Sequence, residues 1–292
     1  MNDTITTTAC SALSAVDEPL PGTAAHVTGW VCLEHPGAWG RDVVDGTALG
    51  SELAGELDAR AKAAGVRFMF IRRPGRSTTD PAKRTVLLAH SHPASAWCER
   101  LDIGSPADLL DLDLGVVAGS APRWGEPVAE PVVLVCAHGK RDQCCAVLGR
   151  PIAARLSTEF GDTVWECSHT GGHRFAPSMI LLPTGYTYGR LSAEQSAEAV
   201  RAAARDEVYA QGLRGRSCWD ERGQVAELAV RELVTAGPNE LVVDGASVVT
   251  HIDGRRWSVD VEERELAPRP PSCGAAPKPV RPVVATGVRP LA

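Results

Sequence analysis

Two short stretches hold the residue types that could do chemistry: CAHGKRDQCC at 136–145 and HTGGH at 169–173. Thiolates and imidazoles bind soft and borderline metals, and thiolates also do redox work. The two histidines do not make the helical pair of a zinc protease. Gly171 and Gly172 would each cost about 1 kcal/mol inside a helix, and no glutamate stands between the histidines. Adjacent glycines belong in a tight loop, where the missing Cβ atoms let the backbone approach closely and let both imidazoles face one object. Alone, such a pair more often satisfies local hydrogen bonds. The nearby cysteines change the weighing.

The elements around these stretches bring them together. PVVLVC (131–136) is a continuous apolar run suited to a central strand, followed by the cysteine loop and a helix through AVLGRPIAARLSTEF. TVWECSH, MILLPTG and YTYGRL read as three more strands, and LSAEQSAEAVRAAARDEVYA as a helix with a Ser192–Gln195 capping box. In a βαβ unit the loops after the two parallel strands lie at the same sheet edge. Cys136 therefore meets His169 and His173, with Cys144 or Cys145 opening the helix. Two thiolates and two imidazoles are a complete set for zinc or for an iron-sulfur cluster.

The same plan occurs earlier. TGWVCLEH (28–35) reads as a strand, 49–65 as a helix with a Gly stop, VRFMFIRR, RTVLLAHS and AWCERLDI as strands, and SPADLLDLDL as a short helix capped by Ser105. The repeated order, β, α, β, β, β, α, suggests an internal duplication, weakly supported by VCLEHPGAWGRD and VCAHGKRD. A cysteine-bearing loop between first strand and first helix fits a thioredoxin-like unit better than a flavodoxin-like one, because the Gly-rich phosphate fingerprint is missing. The fold class expected is α/β, with two thioredoxin-like units in tandem. A small C-terminal extension follows: the helix GQVAELAVRELV and a three-stranded β-meander with Asp-Gly turns at 244–245 and 253–254.

The motifs Cys136-x8-Cys145 and SHTGGHRFAPSMILLPTG resemble those of the sucrase/ferredoxin-like family of thioredoxin-like ferredoxins, over roughly residues 10 to 265. The resemblance implies a [2Fe-2S] cluster held by Cys136, Cys145, His169 and His173. The family's spacing selects Cys145 as second thiolate; Cys144 and Cys167 are the substitute ligands. His138, Lys140, Arg141, Asp142, Gly171, Gly172 and Arg174 would surround the site or dock a partner. It further implies a one-electron carrier whose mixed ligation gives a comparatively high, pH-dependent potential. The expected division is a flexible segment 1–22, a unit without cluster 23–127, the cluster unit 128–210, the helix and meander 211–264, and a disordered tail 265–292. In the first unit Cys32 matches Cys136, but no second cysteine or histidine pair follows. His90, His92 and Cys98 are read there as strand-edge and core residues.

Bulk properties exclude other classes. The 292 residues are 44% hydrophobic with net charge -6 and interspersed charges, so nucleic acid is not an expected partner. No signal peptide, spanning segment or membrane partner is expected, which makes a cytoplasmic protein the default. Nine cysteines in a reducing compartment argue for metal or redox chemistry rather than a disulfide framework. Two rivals remain: a structural Cys2His2 zinc module and a thiol-disulfide oxidoreductase, the latter weakened by adjacent Cys144 and Cys145 in place of C-x-x-C. Nothing identifies the paired carboxylates of a sucrase, so the protein is read as a carrier rather than a catalyst, serving an unidentified redox partner protein.

Overall fold

Along PVVLVC the side chains alternate between two buried layers, which only a central strand covered on both faces can do. A computed structural model describes residues 8–75, 82–245 and 247–292. The chain starts with a short helix α1 (Cys10–Ser14). Then come β1 (Gly29–Glu34), α2 (Ser51–Ala63), β2 (Val66–Arg72), β3 (Arg84–His90), β4 (Trp97–Ile103) and the two-residue β5 (Glu126–Pro127). The second half has β6 (Val132–Cys136), α3 (Gln143–Phe160), β7 (Val164–Cys167), β8 (Ser178–Leu182), β9 (Tyr186–Gly189) and α4 (Ala193–Ala204). β10 (Leu213–Arg216), α5 (Glu221–Arg231), β11 (Leu241–Asp244), β12 (Val248–His251), β13 (Arg256–Glu263), β14 (Leu266–Arg269), β15 (Lys278–Val280) and β16 (Val283–Leu291) complete it.

The architecture is mixed α/β, built on one ten-stranded sheet in the order β10-β9-β8-β6-β7-β2-β1-β3-β4-β5, with smaller sheets of four and two strands. Each half repeats one plan. β1 runs parallel to β2 and antiparallel to β3, as β6 does to β7 and β8. The halves join antiparallel through Ile71↔Cys167 and Arg72↔Glu166, so they share a sheet rather than forming two separate ones. They also share a core. Val132, Leu134 and Cys136 point into a layer that includes Trp30, Cys32, Met69 and Ile71 of the first half, while Val133 and Val135 pack under α3 and α4.

Three expectations are corrected. The stretch SPADLLDLDL forms two 3₁₀ turns, Pro106–Asp111 and Leu114–Ala118, rather than a helix. Ser105 with Asp108 makes a capping box on the first turn, and Asp113 caps the second. Repeated Asp residues bind nearby backbone N–H groups and so favour caps over helix interior. The expected flexible segment 1–22 is ordered where described: Cys10, Ser14 and Glu18 are buried, and Arg190 donates to the carbonyls of Ser14 and Glu18; residues 1–7 lie outside the described part. The expected disordered tail is largely strand. β16 pairs with β13 from Arg256↔Leu291 to Glu263↔Val283, turning the meander into a four-stranded sheet. Without it β13 would expose a row of unpaired backbone groups. Pro290 is tolerated because β16 is itself an edge strand.

Candidate metal centre

β6 and β7 are parallel and in register at Cys136↔Cys167, so the loops leaving them emerge side by side. Cys136 ends β6, fully buried. The loop then climbs to Asp142, which caps α3 by accepting a hydrogen bond from Cys144 N at 2.9 Å. Cys144 and Cys145 thus sit in the first turn of α3, and both are buried. Being consecutive on a helix, they point in different directions.

After β7, Ser168 ties the chain to β2: its N–H donates to Phe70 O at 2.8 Å, and its Oγ accepts from Phe70 N at 3.0 Å. His169 is then held from two sides. Its N–H donates to His138 Nδ1 at 3.2 Å, and its carbonyl accepts from Arg67 Nη2 at 2.6 Å. Since Nδ1 accepts, His138 carries its proton on Nε2, which donates to Gly40 O at 2.7 Å. His138 is therefore a buried positioning residue between the halves. His138→Ala should lower stability by about 2 kcal/mol, read as a reduced urea midpoint, because the His169 N–H loses its acceptor.

The Gly-Gly loop is a steric requirement. Gly171 and Gly172 have φ of 93° and 66°, and a Cβ on Gly172 would lie 2.5 Å from Arg214 Nη2 and 2.7 Å from the Phe175 ring. Arg214, on β10, is wholly buried. It donates to Gly171 O at 3.1 Å, Ser178 Oγ at 2.9 Å, Thr23 Oγ1 at 3.0 Å and Thr23 O. Burial, reinforced by Arg174, pulls its pKa down to about 9, against the opposing charge of the Cys136 and Cys145 sulfurs, so it stays protonated at neutral pH. Nothing in the sequence around GLRGRSCW marks this residue.

The result is a cluster of Cys136, Cys145 and His169 whose ligand atoms lie within 4.8 Å of one another. His173 opens a 3₁₀ turn (His173–Phe175), and its ring centroid is 5.0 Å from that of His169. Three of the five buried side-chain N and O atoms without a hydrogen-bond partner, among the described residues, belong to this pair: His169 Nδ1 and both ring nitrogens of His173. Each such atom costs about 1–3 kcal/mol when nothing satisfies it. A metal group would satisfy one nitrogen on each ring, so the donor set fits one.

The electrostatics agree with that use. The contact with Cys145 holds the Cys136 thiol well below its ordinary range against the effect of burial, with His169 adding to the pull. The same contact, together with burial, pushes Cys145 up. The pair shares one proton until a cation compensates the second charge. Burial, helped by His169 and opposed by Asp142, lowers the pKa of His173, keeping it neutral and ligand-competent at neutral pH.

The other predicted residues are placed as follows. Cys144 turns away from Cys145 toward Cys10, Ser11 and Cys273. Cys167 packs in the shared core and is not part of the Cys136–Cys145–His169 group. Arg174 pairs with the buried Glu18 at 2.8 Å, while Arg141, paired with Asp42 at 3.4 Å, stays exposed together with Lys140. His90 donates to Val117 O, His92 accepts from Ala94 N, and Cys98 is core. Among the described residues no helix is long and apolar enough to cross a membrane. A family model described as sucrase/ferredoxin-like matches residues 20–215, more than half of the chain. Neither the curated proteins nor the solved structures contain a match to this chain.

Proposed function

The chain belongs to the sucrase/ferredoxin-like family, and from that premise we propose that it is an electron carrier whose [2Fe-2S] cluster is held by Cys136, Cys145, His169 and His173. The observation that carries the reading is the gathering of Cys136, Cys145 and His169, their ligand atoms within 4.8 Å of one another, beside unpartnered buried nitrogens on His169 and the neighbouring His173. When bound, the cluster would take up and release one electron, with a potential nearer the about -150 to +300 mV of Rieske centres than the about -400 mV of plant-type ferredoxins.

The protein's own residues support this role. Arg214 directs a buried positive charge at the thiols and holds the Gly171 carbonyl, while Arg67 and His138 fix His169. The His173 side chain is 14% exposed and His169 is also half-buried, so both imidazoles stand between site and surface. We place the docking surface for an acidic redox partner at Lys140 and Arg141. The repeated strand order supports two thioredoxin-like units, the first a cluster-free shield whose Cys32 and Cys98 pack into the shared core. All nine cysteines are free, in keeping with a reducing, cytoplasmic setting.

Protein purified without oxygen should show reducible visible bands and about two irons and two sulfides per chain. His169→Cys and His173→Cys should each keep colour and lower the potential, since a thiolate adds negative charge where an imidazole stood. The potential of the unmodified protein should also vary with pH, because an imidazole ligand can lose its outer proton. A colourless protein after attempted reconstitution, with zinc on these four residues, would sink the proposal.

A further inference from the structure

A second cluster lies beside the first and plays no part in the proposed electron transfer. Cys10 at the start of α1, Cys144 in the first turn of α3 and Cys273 between β14 and β15 bring three sulfurs into a triangle. Its edges are 3.7 Å from Cys10 to Cys144, 3.2 Å from Cys144 to Cys273 and 3.5 Å from Cys273 to Cys10. The Asp142 carboxylate faces it, with Oδ2 3.7 Å and Oδ1 3.9 Å from Cys10 Sγ. One ligand atom from each of the four residues lies within 4.8 Å of all the others, and only Cys273 is not fully buried.

Ordinary packing does not account for this arrangement. Free thiols behave as small hydrophobes and gain by meeting apolar atoms; here, beside Ala9, Ala176 and Leu148, they also crowd one another and a buried carboxylate. One disulfide would use two of the sulfurs and leave the third unexplained. A tetrahedral zinc with Zn–S of about 2.3 Å and Zn–O of about 2.1 Å sets S···S edges of about 3.8 Å and S···O edges of about 3.6 Å; the Cys10–Cys144 and Cys10–Asp142 Oδ2 edges, both 3.7 Å, match these, while the Cys144–Cys273 edge of 3.2 Å is shorter. Asp142 is already oriented, because Oδ1 accepts from Cys144 N at 2.9 Å and Oδ2 from Cys273 N at 2.8 Å.

We propose that Cys10, Cys144, Cys273 and Asp142 form a structural zinc site, separate from the Cys136–Cys145–His169–His173 centre. Binding of Zn²⁺ releases the three thiol protons to solvent and leaves each sulfur bonded to the metal. Three thiolates with one carboxylate close the tetrahedron, leaving no open position for catalysis. A hard oxygen ligand and four-coordination favour Zn²⁺ over Cu⁺. The metal clasps both ends of the chain onto the N-terminus of α3. It also fixes the segment over His173, whose ring lies beside the Pro271 backbone and has Nε2 3.7 Å from Asp142 Oδ2. The gain is large in principle, because the site closes loops of well over a hundred residues.

The test is metal analysis on the full chain grown with zinc, followed by X-ray absorption at the zinc edge. The expected result is about one zinc per chain, with a shell of three sulfurs and one oxygen. The doubly substituted Cys10→Ser, Cys273→Ser protein should lose that zinc, keep its iron and sulfide, and be cleaved faster by protease between residues 264 and 282. Should that variant fail to fold, the zinc-edge spectrum of the unmodified protein still decides. Normal iron with no zinc overturns this site alone, as does a Cys144–Cys273 disulfide found by peptide mapping. A zinc shell of two sulfurs and two nitrogens overturns both this site and the cluster reading.

Discussion

Gly149→Ala should destabilise the protein by about 2–3 kcal/mol and remove most of its iron, although the same change in an exposed helix stabilises by about 0.5–1 kcal/mol. The sign reverses because of where α3 rests. A Cβ on Gly149 would lie 2.0 Å from Cys136 O and 3.1 Å from Cys136 C, both main-chain atoms at the end of β6 that cannot swing aside. The helix must therefore retreat by more than an ångström. Cys145 stands one turn earlier on the same helix face, so the retreat draws it away from Cys136. Gly55, in α2, is the control: it is exposed, a Cβ there meets nothing within 4 Å, and Gly55→Ala should raise the urea midpoint. If Gly149→Ala were as stable as its parent and kept full iron, α3 would not be seated against β6 as described.

What could be read in the sequence was local. The apolar run into Cys136, the Ser192–Gln195 capping box, and the Gly-Gly pair between two histidines each announce themselves within a few residues. Those signals reach the ends of β6 and β7, where Cys136, Cys145 and His169 gather. The rest depends on partners far along the chain. The sheet crosses from one half to the other at two residue pairs between β2 and β7, which no periodicity marks. β16 lies in a tail rich in Pro, Ala and Val without a period, a composition shared with disorder, and becomes a strand because β13 offers it an edge. Cys10 and Cys273 stood in segments read as flexible, so no neighbouring residue could show that they meet Cys144.

Arg214→Met should cost about 3 kcal/mol or more and lower the potential of any cluster retained. The two effects come from different properties of one side chain. The stability loss is geometric. The guanidinium serves Thr23 O, Thr23 Oγ1, Gly171 O and Ser178 Oγ at once; a methionine removes all four bonds from these buried and half-buried acceptors, of which Ser178 Oγ alone keeps a second donor, Thr170 Oγ1. Gly171 would lose the bond that closes its loop between the two histidines. The change in potential is electrostatic. Arg214 is the buried cation whose charge couples to Cys136 and Cys145, and removing it makes an added electron less welcome. Arg214→Lys separates the two: an ammonium retains positive charge but cannot span the fork of acceptors. It should recover much of the potential while remaining nearly as destabilised as the methionine variant. Urea unfolding and a spectroelectrochemical titration of all three proteins measure both quantities. Equal potentials in the arginine and methionine proteins would mean that the charge of Arg214 is screened from the site and acts through the loop alone.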